Sequence, residues 1–156
     1  MERDLSTALQ RAIEAGDQVL TAEVMPPRGA DPSHMLAMAT SLQGRVHAVN
    51  VTDGSRAVMR MSSLASCKLL LEAGLEPVLQ MACRDRNRIA LQADLLGAYA
   101  LGIRNLLCLT GDPVRAGDQA DARQVNEFES VKLLQQVDSL NQGVDPVQGT
   151  LPDGAT

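Results

Sequence analysis

Pro77-Val78-Leu79-Gln80-Met81-Ala82 and Leu106-Leu107-Cys108-Leu109 decide the fold. Each is a short, continuous apolar run, the pattern of a strand in a parallel sheet covered on both faces. Between them Ile89, Ala93, Leu96 and Ala100 recur at helical spacing, with Asp85 placed to cap the helix and Gly102 to stop it. Strand, helix and strand make one βα repeat. A helical crossover of this length suits two parallel strands, and such a crossover is right-handed.

The same unit repeats towards the N-terminus. Val46–Val51 reads as a strand that leaves through Thr52-Asp53-Gly54-Ser55. A helix over about 62–73 follows, burying Leu64, Cys67 and Leu71 and stopping at Gly74. Before these, Val19–Val24 is a strand ended by Pro26-Pro27, since proline cannot extend a sheet ladder. Its helix has Asp31 as cap, Pro32 at the first position, and Met35, Met38, Ala39 and Leu42 facing inward. The chain opens with a helix carrying Leu5, Leu9 and Ile13 on one face and ending at Gly16.

Beyond the fourth strand, Thr110-Gly111-Asp112 leads into a polar loop that runs to about Gln124. A helix over 126–140 follows, with Phe128, Val131, Leu134 and Val137 inward. Residues 141–156 read as a loop or a truncated end.

The expected fold is therefore α/β, a single domain over 1–156 built of parallel βα repeats with strand order 1-2-3-4. An open doubly wound sheet and part of a barrel both fit. A complete (β/α)8 TIM barrel takes about 250 residues, so four units are the first, incomplete half of one.

Composition excludes several classes. The chain has 156 residues and a net charge of -5, with no basic stripe, which argues against nucleic acid. No apolar run approaches the roughly 18 residues of a membrane span, and Met1-Glu2-Arg3-Asp4 opens no signal core. The expectation is a cytoplasmic protein that binds no membrane. Cys67, Cys83 and Cys108 form no CxxC pair and read as reduced, buried thiols. No metal-ligand spacing is visible.

Chemistry in such folds sits at the C-terminal ends of the strands. Those ends carry Glu23, then Asn50, Thr52 and Asp53, then Gln80, Arg84 and Asp85, then Thr110, Gly111 and Asp112. Glu23 stands out, because it lies between Ala22 and Val24 in an apolar strand. Burial there would raise the pKa of its carboxyl and suit it to general-acid work, or it is a structural carboxylate paired with Arg28 or another arginine. Gly111-Asp112 either lets a ligand approach the backbone or is a turn before Pro113. Thr52-Asp53-Gly54 is open to the same two readings. His34 and His47 read as surface or satisfied core. There is no GxGxxG after the first strand, no Walker loop and no GxSxG elbow.

Together these strand ends resemble one family. Glu23-Val24-Met25-Pro26-Pro27-Arg28 is similar to the EFFPPR signature of methylenetetrahydrofolate reductases. Val49-Asn50-Val51-Thr52-Asp53-Gly54 resembles their VSVTYG, Gln80–Asp85 their HLTCID, and Leu109–Asp112 their LRGD. The order and spacing hold through all four units, from about Leu20 to Leu140.

The resemblance implies a barrel that binds FAD at its C-terminal face. It takes hydride from NADH or NADPH and reduces 5,10-methylenetetrahydrofolate to 5-methyltetrahydrofolate, a step of one-carbon metabolism that feeds methionine biosynthesis. It implies Glu23 as general acid and Asp112 as the flavin-side carboxylate, both also meeting the folate. It implies Thr52, Asp53, Gln80, Thr110, Gly111 and Asp112 as the cofactor-binding set. The family's histidine is Gln80 here, its tyrosine Asp53 and its arginine Thr110.

The later strands of the family are not in this sequence. The chain is thus expected to be the N-terminal portion of the enzyme and inactive alone, with Val49, Leu79 and Leu107 left uncovered. It is expected to associate as a homo-oligomer or with a chain supplying the other barrel half. The alternative is a non-catalytic half-barrel subunit or binding domain acting in assembly.

Overall fold

A computed structural model of the protein describes residues 6–145, 147 and 149–152. Helices and strands alternate: α1 (Ala8–Ala15), β1 (Thr21–Val24), α2 (Ser33–Thr40), β2 (Ala48–Val51), α3 (Ser63–Glu72), β3 (Pro77–Ala82), α4 (Arg88–Ala100), β4 (Asn105–Leu109) and α5 (Ser130–Asn141). The four strands form one parallel sheet in the expected order β1-β2-β3-β4. A short antiparallel pair, β5 (Val144–Asp145) and β6 (Gly149–Thr150), follows α5. Part of the stretch expected to be an irregular tail is therefore a hairpin. No helix among the described residues is long and apolar enough to cross a membrane.

The chain divides into two compact units. The first comprises Met1–Gly54, Met59–Met81 and Gly102–Leu107. Here Val24 pairs with Val51 and Val51 with Leu79 across the strands, and all three are buried. Their neighbours on the other face are Glu23, Asn50 and Val78, which also pair in register. Period-two alternation thus sorts an apolar face from a partly polar one.

The expected exposure of Val49 and Leu79 is corrected, since each is only 1% exposed. Leu107 does stand open, at 42%. From α2, Met35 and Ala39 are buried, while Met38 points outward against expectation. In α3 the fully buried positions are Ser63, Ser66, Cys67 and Leu70, and Leu64 and Leu71 are half-buried.

The first helix is anchored by chemistry invisible in its own sequence. The Glu76 carboxylate accepts the backbone N–H of Ala8 at 2.6 Å and of Leu9 at 3.0 Å. It also accepts from Asn105 Nδ2 at 2.9 Å, and Thr7 Oγ1 donates to Asn105 Oδ1 at 2.9 Å. A carboxylate at a helix N-terminus answers unpaired amides and the positive end of the dipole together. Gly16, in the left-handed region, ends the helix as expected. The buried residue is Ala12, however; Ile13 is 61% exposed, and Leu5 lies outside the described residues.

The second unit comprises Ser55–Val58, Ala82–Leu101 and Cys108–Thr156. Its helices turn other faces inward than their apolar spacing suggests. α4 buries Leu91 and Ala98, leaving Ile89 at 74% and Leu96 at 39%, with Ala93 and Ala100 also exposed. Asn87, not Asp85, caps it by accepting the Ala90 N–H at 3.0 Å. Asp85 instead bridges Arg84 and Arg86. α5 begins at Ser130 and buries Leu133, Gln136 and Leu140, whereas Val131 and Leu134 are 61% and 60% exposed. Phe128 is buried just ahead of it.

The cysteines are free thiols, Cys67 and Cys83 buried and Cys108 half-buried. Burial first, then the nearby Asp53 carboxylate, pushes the Cys67 thiol up to about 12 from an ordinary 9.0. Burial first, then Cys83, pushes Cys108 up to about 11. The thiolate is the nucleophile, so at pH 8 the reactive fraction of Cys108 is about 100-fold below that of an unshifted thiol. Iodoacetamide should modify the folded protein slowly and the urea-unfolded chain fast. Equal labelling of the two states at pH 8 would show that the thiols are not shielded. Because the folded thiols hold their protons more tightly, stability is greatest below the unfolded value of 9.0 and falls as pH climbs towards 11–12.

Candidate functional site

In the first unit the polar face of the sheet carries three of the expected residues, Glu23, Thr52 and Gln80. Glu23 pairs in register with Asn50, and Asn50 with Val78, so two residues on, Thr52 and Gln80 share that face. Gln80 Nε2 donates to Glu23 Oε2 at 3.1 Å. Asn50 Nδ2 donates to the Ala22 carbonyl at 3.5 Å, a weak bond between the strands. The chain beyond Glu23 is pinned. Pro26 is fully buried, Arg60 donates to its carbonyl at 2.9 Å, and the Met61 N–H donates to the Pro27 carbonyl at 2.8 Å.

Glu23 itself is exposed. The expected desolvation is therefore corrected: the β1 sequence is apolar, but the side chain points away from the buried face. Its partner is the Gln80 amide, which orients the carboxyl without a countercharge. Gln80 is 8% exposed and so is a fixed, buried donor.

Thr52 is only 3% exposed, and its Oγ1 is buried without a hydrogen-bond partner. An orphaned hydroxyl of this kind is costly unless something outside the chain completes it. Asp53, half-buried, lies near enough to Cys67 to act on its thiol. His47 is satisfied at the backbone, accepting the Leu20 N–H on Nδ1 at 3.1 Å, and His34 is exposed.

The second unit holds the rest of the expected set. Thr110 Oγ1 accepts the Ser130 N–H at 3.1 Å, so this hydroxyl caps the first turn of α5, whose own cap position, Glu129, offers no side-chain bond. Gly111 has φ +92, and a Cβ there would lie 2.9 Å from Arg84 Cβ and 3.2 Å from Ala82 Cβ. Only glycine fits that backbone and that space. Asp112, exposed, accepts the Arg56 N–H on Oδ2 at 2.7 Å. Arg56 and Ala57 both have positive φ, at 57 and 55, so the carboxylate steadies an unfavourable turn.

The structure thus brings Glu23, Thr52 and Gln80 to one face, with Asn50 between them. It gives Thr110 and Asp112 structural bonds of their own in the second unit. Sequence reading missed Arg60 as the clamp on the proline turn, because a lone arginine in a loop carries no spacing signal.

A family model described as "Methylenetetrahydrofolate reductase" matches residues 8–150, most of the chain.

Proposed function

Because the chain belongs to the methylenetetrahydrofolate reductase family, we propose that it supplies the first four βα units of a flavin-dependent reductase acting on 5,10-methylenetetrahydrofolate. The family supports an oxidoreductase of folate metabolism. The observation that carries the finer reading is the polar face of the first unit: an exposed Glu23 held by a buried Gln80, on the same face as a buried Thr52 hydroxyl with no partner.

These residues fit FAD, the family's usual cofactor. Thr52 Oγ1 can give or take the hydrogen bond it lacks, and Gln80 can serve a ring edge through its amide. Bound there, the flavin supplies hydride transfer between the nicotinamide, NADH or NADPH, and the folate.

The chain's own part is acid–base and electrostatic. Glu23, when protonated, delivers its proton from a carboxyl oxygen to the folate nitrogen that leaves as the five-membered ring opens. Gln80 holds that carboxyl in place and can rotate its amide to serve either protonation state. The resemblance gives Asp112 the negative charge that favours the cationic folate intermediate; one of its oxygens accepts the Arg56 N–H. In this reading the remaining strands come from further chain or from a partner, and the protein works in the cytoplasm.

The test is to isolate the protein with its natural associates through a terminal tag. A yellow complex that oxidises NADH or NADPH only when 5,10-methylenetetrahydrofolate is added supports the reading. A colourless preparation with no folate-dependent oxidation sinks it.

A further inference from the structure

A cavity lies in the second unit between α4 and α5. It measures about 320 Å³ and is bounded by Arg88, Phe128, Lys132, Gln136, Ser139 and Val147. It shares none of the residues assigned to folate reduction.

Three observations define its chemistry. Gln136 borders the cavity and is 5% exposed, and its Nε2 is buried with no hydrogen-bond partner. Lys132 Nζ stands 4.6 Å over the Phe128 ring, and among the described residues no carboxylate pairs with it. Arg88 is only loosely balanced, by Glu127 at 3.7 Å on an exposed edge. Among the described residues no acidic side chain lines the cavity, in a protein whose net charge is -5. The Ser139 hydroxyl donates to the Gln135 carbonyl at 3.1 Å, so it does not answer Gln136.

We propose that this cavity binds a small organic acid, its carboxylate on Gln136 Nε2 and Lys132 and its apolar body against Phe128 and Val147. An inorganic anion would satisfy the donors but leave the apolar wall idle. A neutral apolar molecule would leave the buried amide without an acceptor. A planar carboxylate with a ring or short chain answers both. Arg88 sits at the rim to attract the anion.

Benzoate is the probe, with benzyl alcohol as its uncharged counterpart and the protein followed by calorimetry. Benzoate should bind saturably at millimolar concentration, and benzyl alcohol should bind at least about tenfold more weakly, the ordinary worth of charge-assisted hydrogen bonds. Gln136→Leu keeps the side-chain volume and removes the orphaned donor. It should not lower the melting temperature, and should weaken benzoate by about tenfold or more. Lys132→Gln, at an exposed position that cannot disturb the core, should weaken it as well. No saturable benzoate binding, equal binding of the alcohol, or unchanged affinity in both variants would each overturn the proposal.

Discussion

Glu23→Gln in the flavin-loaded reductase is expected to leave flavin reduction by the nicotinamide cofactor intact and to slow folate reduction by about 10²–10⁴-fold, the usual range for losing a general acid. The substitution is close to isosteric. Gln80 Nε2, now 3.1 Å from Glu23 Oε2, still finds an amide oxygen to bond, so the strand ends should keep their geometry. Glu23 is exposed, and no buried charge is stranded by the change. What is lost is the transferable proton. Only the folate half-reaction opens a ring at nitrogen, so only that half should suffer. Stopped-flow traces of each half-reaction separate the cases. Equal slowing of both would mean that Glu23 shapes the flavin site and is not an acid.

Gly117→Ala should severely disrupt the loop after β4. A Cβ at Gly117 would lie 1.8 Å from the Ala57 carbonyl oxygen and 2.4 Å from its carbon. The obstacle is backbone, which cannot rotate aside as a side chain would. Ala57 already sits at φ 55 beside Arg56 at φ 57, with Asp112 bonded to the Arg56 amide. Relief must come from moving the 55–58 segment or the loop, and either motion strains the Asp112 bond. The cost should reach or pass the top of the roughly 1–3 kcal/mol range for overpacking. Gly29→Ala is the control, since a Cβ there meets nothing within 4 Å; it should stay within about 0.5 kcal/mol of the parent. Urea midpoints of the two variants compare them directly. A Gly117→Ala protein as stable as Gly29→Ala would show that these two segments do not pack so closely.

The strands and their order were legible because four apolar runs punctuated by glycine and proline leave little else to form. Helix faces were not. α4 is apolar on nearly every side, so Ile89-Ala93-Leu96-Ala100 and Leu91-Ala98 are equally good stripes, and packing chose the second. In α5 the adjacent Leu133 and Leu134 leave the phase open, and a buried Gln136 hides the inner face from any hydrophobic pattern. The Glu76 anchor was invisible for another reason. It joins residues 67 and 68 positions apart, and no local spacing encodes that.

At the site, residue types were legible and environments were not. Glu23 looked buried because its neighbours are apolar, yet strand alternation turns it to the open face. Thr110 resembles a cofactor-loop residue by position, and the structure gives its hydroxyl to the first turn of α5. Which face a strand residue takes depends on register, and register is a property of pairs of strands.

Membership of a working folate reductase is tested most directly by its product. The tagged complex, FAD, NADH and 5,10-methylenetetrahydrofolate are mixed without oxygen, and the folates are identified by mass spectrometry. The expected result is 5-methyltetrahydrofolate in amounts equal to the NADH consumed. NADH consumed with the folate unchanged, or no flavin retained by the complex, would contradict it.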